Sequence, residues 1–222
     1  MAVSEELHST IIRADLAPAV LSIRNNVVGN SGCLKKKKKN ITLDENLLGT
    51  YEKWIEKNPY DEGQGWGKVP WSQKEMELTD EIVESAKGAD AAIVVVGRTA
   101  GEDQDNKNEA GSYLLTDTEK EMVEKVSKAF ARTIVVLNVG NIIDMKWVKE
   151  CNPAAVLYVW QGGQEGGNGV ADVLMGRVNP CGKLTDTIAE NTTVSARFLH
   201  GFKTCKGCKS LQNRTKGAEI TG

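Results

Sequence analysis

Histidine is nearly absent from this sequence: only His8 and His200 occur among 222 residues, and both lie outside the region of predicted strands and helices. A Ser-His-Asp or Cys-His catalytic site inside that region is excluded, because its general base would be an imidazole. Zinc ligands are scarce as well. Cys205 and Cys208 form one CxxC pair near His200, but no second pair completes a four-ligand site. We therefore expect neither a metal nor a cofactor.

Long apolar runs and an excess of one charge are lacking too. No stretch approaches the ~20 apolar residues of a membrane-spanning helix. Glu5, Glu6 and Asp15 interrupt the N-terminal segment, where a secretory signal would need an apolar core.

A net charge of −2, from 28 basic and 30 acidic side chains, gives no electrostatic reason to expect a nucleic-acid or membrane partner. The lysine run 35–39 is interpreted as a solvated loop. The five cysteines, odd in number and irregularly spaced, argue against a disulfide framework and favour a reducing cytoplasm.

Three short apolar runs are present, and they indicate the fold class. They cover 91–97, 133–139 and 154–160, and continuous apolar runs are typical of strands covered on both faces. Helical patterns lie over 117–131, 142–150 and 165–174. This order predicts an α/β fold with a mostly parallel sheet covered by helices on both faces (an α/β sandwich), with irregular N- and C-terminal extensions.

Local signals mark several helix ends and the domain limits. Thr116 and Glu119 form a capping box at the start of one helix. Upstream, apolar spacing predicts a helix over 44–57, which Asn58-Pro59 ends, and a helical pattern resumes over 79–87. We divide the chain into an irregular extension over 1–39, a domain over 40–190 and a tail over 191–222 that we expect to be disordered.

The connection after the first predicted strand is the most polar part of the domain. Residues 98–112 contain four carboxylates, Glu102, Asp103, Asp105 and Glu109. Ligands of open α/β sheets bind outside the carboxyl ends of the strands, and a long connection without predicted structure is usually functional or disordered. A solvated acidic loop is the alternative interpretation.

A glycine-rich turn, residues 161–169, follows the third predicted strand. Such a turn from strand into helix can cradle phosphate, but this one matches neither the dinucleotide fingerprint nor the Walker loop. Close packing of strand and helix explains the glycines more simply. A nucleotide- or flavin-binding module therefore stays as an alternative only.

Several segments of the predicted domain, in this order, resemble the C-terminal α/β domain of glycoside hydrolase family 3, as found in bacterial β-glucosidases. The resemblance covers about residues 40–190 and rests on GRTAGEDQDNKNE (97–109), VLNVGN (136–141), DMKW (144–147), WQGGQEGG (160–167) and ADVLMGRVNPCGKL (171–184).

This resemblance implies hydrolysis of β-linked sugars, such as β-glucosides, with retention. An aspartate nucleophile on a (β/α)8 barrel domain and a glutamate acid/base on a loop of the present domain would act together. Glu102 falls where many β-glucosidases of the family place that glutamate, and Glu109 is the runner-up because the family varies most in this loop. The expected substrate-binding residues are Arg98, Asp103, Asp105 and Trp66, although core packing explains Trp66 more simply.

The barrel implied by the resemblance is not found in this sequence. The residues before Lys35 are too few for a barrel of ~250 residues. We expect the chain to be a fragment or a truncated product that needs a barrel domain in cis or in trans and is inactive alone. The alternative, from another class, is a non-catalytic carbohydrate-binding or pseudoenzyme domain.

Overall fold

The computed structural model describes residues 21–24, 42–65, 68–99, 106–162, 166–184 and 188. Its strands are β1 (Leu21–Arg24), β2 (Thr42–Leu43), β3 (Ala91–Gly97), β4 (Thr133–Asn138) and β5 (Ala155–Tyr158). Its helices are α1 (Glu45–Lys57), α2 (Asp80–Ser85), α3 (Asp117–Ala129), α4 (Lys146–Cys151) and α5 (Gly166–Leu174). The tail 191–222 and the lysine run 35–39 lie outside the described residues. No helix among the described ones is long and apolar enough to cross a membrane.

The strands form one sheet in the order β2-β1-β3-β4-β5. β3, β4 and β5 are parallel neighbours, and each is joined to the next by a helix, as predicted from the alternation of apolar runs and helical patterns. β1 pairs antiparallel with both β2 and β3. Because Gly97 pairs with Asn138 and Leu137 with Tyr158, the carboxyl ends of the three parallel strands lie side by side. The α/β prediction is confirmed.

The central strand β3 shows that both faces of the sheet are covered. Its residues from Ala92 to Val96 are all 8% exposed or less. Successive side chains of a strand point to opposite faces, so five buried residues in a row require packing on each side. Helices α1, α3 and α5 contribute Tyr51, Val123 and Ala171 to the same core. This rigid core holds the strand ends, and hence the loops after them, in place.

The helix ends follow the capping signals of the sequence. Asp44 accepts hydrogen bonds from two backbone amides in the first turn of α1, and Asn58 ends that helix. α3 begins with the predicted capping box: Thr116 Oγ1 accepts from the Glu119 amide at 3.2 Å, and Glu119 Oε2 accepts from the Thr116 amide at 2.8 Å. These bonds satisfy amides that have no partner within the helix.

The helix predicted over 142–150 is wrong in its first turn, because α4 begins only at Lys146. The backbone before it bonds to the polar loop instead. The Ile142 carbonyl accepts from the Asn106 side chain at 2.8 Å, and the Asp144 amide donates to the Tyr113 carbonyl at 2.8 Å. These tertiary hydrogen bonds compete with a helical turn, and no local pattern reports them.

Two further differences concern strands. β1 and β2 lie where no strand was predicted, and β1 falls within the segment 1–39 that was expected to be irregular. The third apolar run was predicted to be a strand over 154–160, but β5 stops at Tyr158. Trp160 adopts a φ of 56°, which an extended strand cannot contain.

Candidate active site

The carboxyl edge of the parallel strands brings three loops together. They follow β3, β4 and β5 and start at Arg98, Val139 and Val159. The Arg98 amide continues the ladder by donating to the Asn138 carbonyl at 3.0 Å, and the Val159 amide donates to the Leu137 carbonyl at 3.0 Å. The polar loop predicted to be functional, the first of the three, therefore leaves the sheet where open α/β folds bind ligands.

The Arg98 guanidinium is buried at the start of this first loop. It donates to three carbonyls: Nε to Ser112 at 3.1 Å, Nη1 to Gly97 at 2.7 Å and Nη2 to Leu114 at 3.2 Å. Nη1 and Nη2 also donate to the two carboxylate oxygens of Glu119, at 2.5 and 2.8 Å. A guanidinium has five N–H donors. These contacts use all of them, so that no donor remains for the sugar contact expected from the sequence.

Glu119 joins Arg98 to the start of helix α3. Its Oε2 accepts from both Arg98 and the Thr116 amide, so the capping box and the ion pair share one carboxylate. The side chains of Arg98 and Glu119 are only 3% and 4% exposed. A buried charge is tolerated only when it is paired and its hydrogen-bonding groups are satisfied. The capping glutamate therefore also neutralises the buried arginine.

A second buried carboxyl group, Glu75, belongs to the same electrostatic environment. Burial raises the pKa of Glu75 well above its usual value of 4.5, opposed by the hydrogen bond from the Met76 amide. The charge of Glu119 raises this pKa further, and the charge of Arg98 lowers it. Glu75 Oε1 accepts from the Met76 amide at 2.9 Å. The cluster thus combines one ion pair with a carboxyl group that favours its neutral form.

Hydrogen bonds link the returning limb of the first loop, residues 106–115, to the loop after β4 and, through it, to the end of β5. Asn106 Nδ2 donates to the Ile142 carbonyl at 2.8 Å, and Asn141 Nδ2 donates to Asn106 Oδ1 at 3.2 Å. The Tyr158 hydroxyl at the end of β5 donates to the Asn141 carbonyl at 2.8 Å. Burial raises the pKa of Tyr158 to about 12, so the phenol keeps this proton at neutral pH.

The segment that precedes α2 packs against both limbs of the first loop. The Thr99 amide donates to the Trp71 carbonyl at 2.9 Å, and Thr99 Oγ1 donates to the Pro70 carbonyl at 2.9 Å. On the returning limb, Gly111 has a φ of 81°, and a Cβ added there would collide with Ser72 Oγ. Only glycine combines this backbone conformation with so close an approach.

The loop after β5 contacts the first loop through Gln161. Its Nε2 donates to the Arg98 carbonyl at 3.0 Å, and its side chain packs against Gly140, where an added Cβ would lie 3.1 Å from Gln161 Oε1. Beside it, the rings of Tyr158 and Trp160 have centroids 4.6 Å apart with their planes tilted by 53°. The three loops are therefore packed on one another.

The glycine-rich turn 161–169 is closely packed at Gly162 but not at Gly169, where an added Cβ would meet no described atom within 4 Å. A Cβ added at Gly162 would lie 2.7 Å from the Gly166 Cα, which is closer than a side chain can approach a backbone atom. Residues 163–165 lie outside the described residues. Close packing therefore accounts for the glycine at position 162, as predicted, and no nucleotide is needed to explain that one.

The predicted catalytic and substrate-binding residues divide into two groups. Four of them lie outside the described residues: Trp66, Glu102, Asp103 and Asp105. Arg98 is buried as described above. Glu109 is on the returning limb, with a side chain that is 57% exposed and a carboxylate 3.9 Å from Lys107 Nζ. The described chain leaves the carboxyl edge at Thr99 and is hydrogen-bonded to it again at Asn106.

Other polar residues of this edge were given no role by sequence reasoning. They are Glu75, Asn106, Asn141 and Gln161. The last three fall within the segments that resemble family 3, which was a signal for the region but not for their contacts. Glu75 had no signal, since the charges that act on its pKa, those of Arg98 and Glu119, are distant from it in the sequence.

Two buried polar atoms at this edge have no hydrogen-bond partner within the described part of the chain: Trp71 Nε1 and Asn138 Oδ1. One is a donor and the other an acceptor. Buried polar groups are almost always hydrogen-bonded to protein or to ordered water. An ordered water molecule is the usual partner of such buried atoms.

Comparison with known proteins extends the resemblance beyond 40–190. The profile of the glycosyl hydrolase family 3 C-terminal domain matches residues 12–214. A β-glucosidase from Ruminococcus albus is 54% identical over 152 residues, which make up 68% of this chain and 16% of that protein. β-Glucosidase A from Butyrivibrio fibrisolvens is 39% identical over 147 residues, or 55% of this chain and 18% of that protein.

Solved structures agree with these sequence matches. A β-glucosidase from Paenibacillus barengoltzii superposes with a TM-score of 0.71 at 42% identity, over 84% of this chain and 21% of that one. β-Glucosidase 3B from Thermotoga neapolitana, in complex with glucose, gives a TM-score of 0.63 at 28% identity, over 78% of this chain and 26% of that one. This chain thus spans roughly a sixth to a quarter of these relatives. The chain belongs to the glycosyl hydrolase family 3 C-terminal domain family.

Proposed function

We propose that this chain supplies the general acid/base loop of a retaining β-glucosidase, with Glu102 as the acid/base residue. The aspartate nucleophile would come from a (β/α)8 barrel domain, in cis or in trans. The observation that carries the proposal is the anchoring of the first loop. Both limbs that flank residues 100–105 are bound to the carboxyl edge of the sheet, through Thr99 on one side and Asn106 on the other.

The chemistry divides between the two domains. In the first step the aspartate attacks the anomeric carbon while Glu102 gives its proton to the departing glycosidic oxygen. In the second step Glu102 takes a proton from water, and that water displaces the aspartate. Retention by this route requires the two carboxyl groups to be about 5–5.5 Å apart. A loop anchored on a rigid sheet suits this demand, because a small misplacement of a catalytic group is costly.

Glu109 stays the runner-up for the acid/base role. Its side chain is 57% exposed and lies beside Lys107, so a partner surface would have to bury it before it resembled the enclosed acids of glycosidases. We further propose that Asp103 and Asp105 contact sugar hydroxyls and that Trp66 stacks on a sugar face. Arg98 was expected to contact substrate as well, but its five N–H donors are all used within the chain.

The test is complementation of the full chain with a purified family 3 barrel domain, assayed on an aryl β-glucoside. Three samples are compared with wild type: the chain alone, Glu102→Gln and Glu109→Gln. We expect turnover only in the mixture, and a loss of about 10²–10⁴-fold in Glu102→Gln, which is the usual contribution of general acid–base catalysis. Glu109→Gln should keep most of the activity.

Each other outcome assigns the function differently. A loss in Glu109→Gln with Glu102→Gln unaffected would transfer the acid/base role to the runner-up. A wild-type mixture without turnover, with glucose binding detected by calorimetry, would favour a non-catalytic carbohydrate-binding domain. Circular dichroism of each variant shows whether the chain is folded before either conclusion is drawn.

A further inference from the structure

The buried ion pair between Arg98 and Glu119 lies where the first loop leaves β3 and where helix α3 begins. We propose that Arg98, held through Glu119, is a positioning residue that fixes the returning limb of the first loop, residues 106–115, on the carboxyl edge of the sheet. This inference rests on the proposed function, since the loop is the one that carries Glu102. Arg98 itself touches neither substrate nor reacting atoms in this role.

The backbone of Arg98 is fixed to the sheet independently of its side chain. Its amide donates to the Asn138 carbonyl at 3.0 Å, and its carbonyl accepts from Gln161 Nε2 at 3.0 Å. The guanidinium then reaches the returning limb of the loop, where Nε and Nη2 donate to the carbonyls of Ser112 and Leu114. One residue therefore joins the outgoing limb, the sheet and the returning limb.

Glu119 fixes the direction of the guanidinium. Its two oxygens accept from Nη1 and Nη2 in a bidentate arrangement, while the capping box holds Glu119 to Thr116 at the start of α3. A planar guanidinium paired in this way can rotate little, whereas a lysine ammonium would act as a point charge without a fixed fork. The loop is thus bound to a rigid strand and to a rigid helix end together.

The returning limb makes two further contacts, which require it to stay in the position that Arg98 gives it. Asn106 bonds to the Ile142 carbonyl and to Asn141, and Gly111 approaches Ser72 too closely to allow a side chain. Both place the limb at a defined distance from neighbouring loops. Loss of the Arg98 fork would free the limb between these contacts while the strands beneath it stay paired.

Hydrogen exchange on the full chain tests the positioning role without any substrate. The variants are Arg98→Lys, Glu119→Gln and the double variant Arg98→Met/Glu119→Gln, in which glutamine can still serve the capping box. Arg177→Met, which breaks the exposed Arg177–Asp172 ion pair, is the matched control. We expect amide exchange in 106–115 to rise by about tenfold or more in the three Arg98/Glu119 variants, with β3 and β4 unchanged.

The double variant separates positioning from the mere burial of charge. Because it removes both charges, it should recover much of the unfolding midpoint that Glu119→Gln alone loses, yet its loop should exchange as fast as in the single variants. Unchanged exchange in 106–115, or an equal rise in the loop and in β3 and β4, would refute the positioning role. Exchange measures the loop itself, so this outcome is decisive whether or not the chain proves to be part of a glycosidase.

The link to catalysis is tested by comparing kcat/KM for two substrates with different leaving groups, in a mixture of the chain with a barrel domain. A displaced acid should lower kcat/KM for a phenyl β-glucoside, whose leaving group needs a proton, much more than for a 2,4-dinitrophenyl β-glucoside, whose leaving group does not. We expect this pattern in Arg98→Lys and no change in Arg177→Met. Equal losses on both substrates would show that Arg98 does not act through the acid. If the wild-type mixture is inactive, the proposed function fails and the exchange result still decides the positioning role.

Discussion

Glu75 is the residue whose environment most clearly opposes its ordinary charge. It is 8% exposed, and burial raises its pKa well above 4.5, with a smaller contribution from the charge of Glu119. The Met76 amide and the charge of Arg98 act in the opposite direction and do not compensate. Ionising this carboxyl group beside the buried Glu119 would place a second negative charge next to a single arginine.

This environment predicts how stability changes with pH. Above pH 4.5 and up to its raised pKa, the folded state binds more protons at Glu75 than the unfolded state, so the free energy of unfolding falls as pH rises through that window. Glu75→Gln cannot ionise and keeps an oxygen for the Met76 amide. At pH values above the raised pKa, we expect the free energy of unfolding of the variant to exceed that of wild type by about 1.4 kcal/mol for each unit by which the pKa is raised.

Urea unfolding of both proteins between pH 4 and pH 8 measures this difference. Other titrating groups cancel in the comparison, so the gap between the two curves should be absent at low pH and widen as pH rises above 4.5. Curves that run parallel across the whole range would mean that the Glu75 carboxyl group is not held neutral by the fold.

Gly111 makes a second prediction at the residue scale, about backbone strain. Alanine at its φ of 81° should cost about 1–2 kcal/mol from conformation alone, and its Cβ would also collide with Ser72 Oγ. Gly176 is a matched control, since its φ is 67° and a Cβ added there meets no described atom within 4 Å. Gly111→Ala should therefore lower the unfolding free energy more than Gly176→Ala. Adding Ser72→Gly to Gly111→Ala should remove only the part of the loss that comes from the collision with Ser72 Oγ. A double variant no more stable than Gly111→Ala would show that this collision does not contribute.

At the scale of elements, the sequence was sufficient where the signal was local. β3 and the start of α3 were predicted at the residues where they occur, because an apolar run and a capping box are complete within a few positions. The first turn of the helix predicted at 142 was wrong, because Ile142 and Asp144 bond to a loop distant in the sequence. Arg98 shows the same limit: the family resemblance implied a substrate contact, and its bidentate pairing with Glu119, 21 residues away, is visible only in three dimensions.

The start of α3 supports a prediction about capping. Thr116→Ala removes the oxygen that accepts from the Glu119 amide and should cost about 0.5–2 kcal/mol of unfolding free energy. Thr116→Ser keeps this acceptor and should stay close to wild type. Thr79→Ala, at the exposed start of α2 where the corresponding bond is 3.4 Å, should cost less. Chemical denaturation of the three variants measures the loss of unfolding free energy in each. Equal losses in Thr116→Ala and Thr79→Ala would show that the Glu119 carboxylate, which Thr79 lacks, does not strengthen the cap at Thr116.

At the scale of the whole molecule, the carboxyl edge of the sheet depends on segments that are far apart in the chain. Thr99 bonds to the residues before α2, Asn106 to the loop after β4, and Gln161 to the backbone of Arg98. A sheet with parallel neighbours gathers these loops at one edge because all its parallel strands end there. The fold therefore explains how the residues on both sides of 100–105 are held at one edge of the sheet, where the proposed function places the acid/base residue.

The last prediction tests the division of chemistry between the two domains. In a retaining mechanism the second step needs a base to activate water, and azide needs none. With a barrel domain present, Glu102→Ala should hydrolyse a 2,4-dinitrophenyl β-glucoside slowly, and added azide should speed turnover and give β-glucosyl azide, identified by NMR. An α-glucosyl azide would instead mean that residue 102 had been the nucleophile, because azide would then have replaced it with a single inversion. Rescue in Glu109→Ala and not in Glu102→Ala would assign the acid/base role to the runner-up, with the same anchored loop as its support.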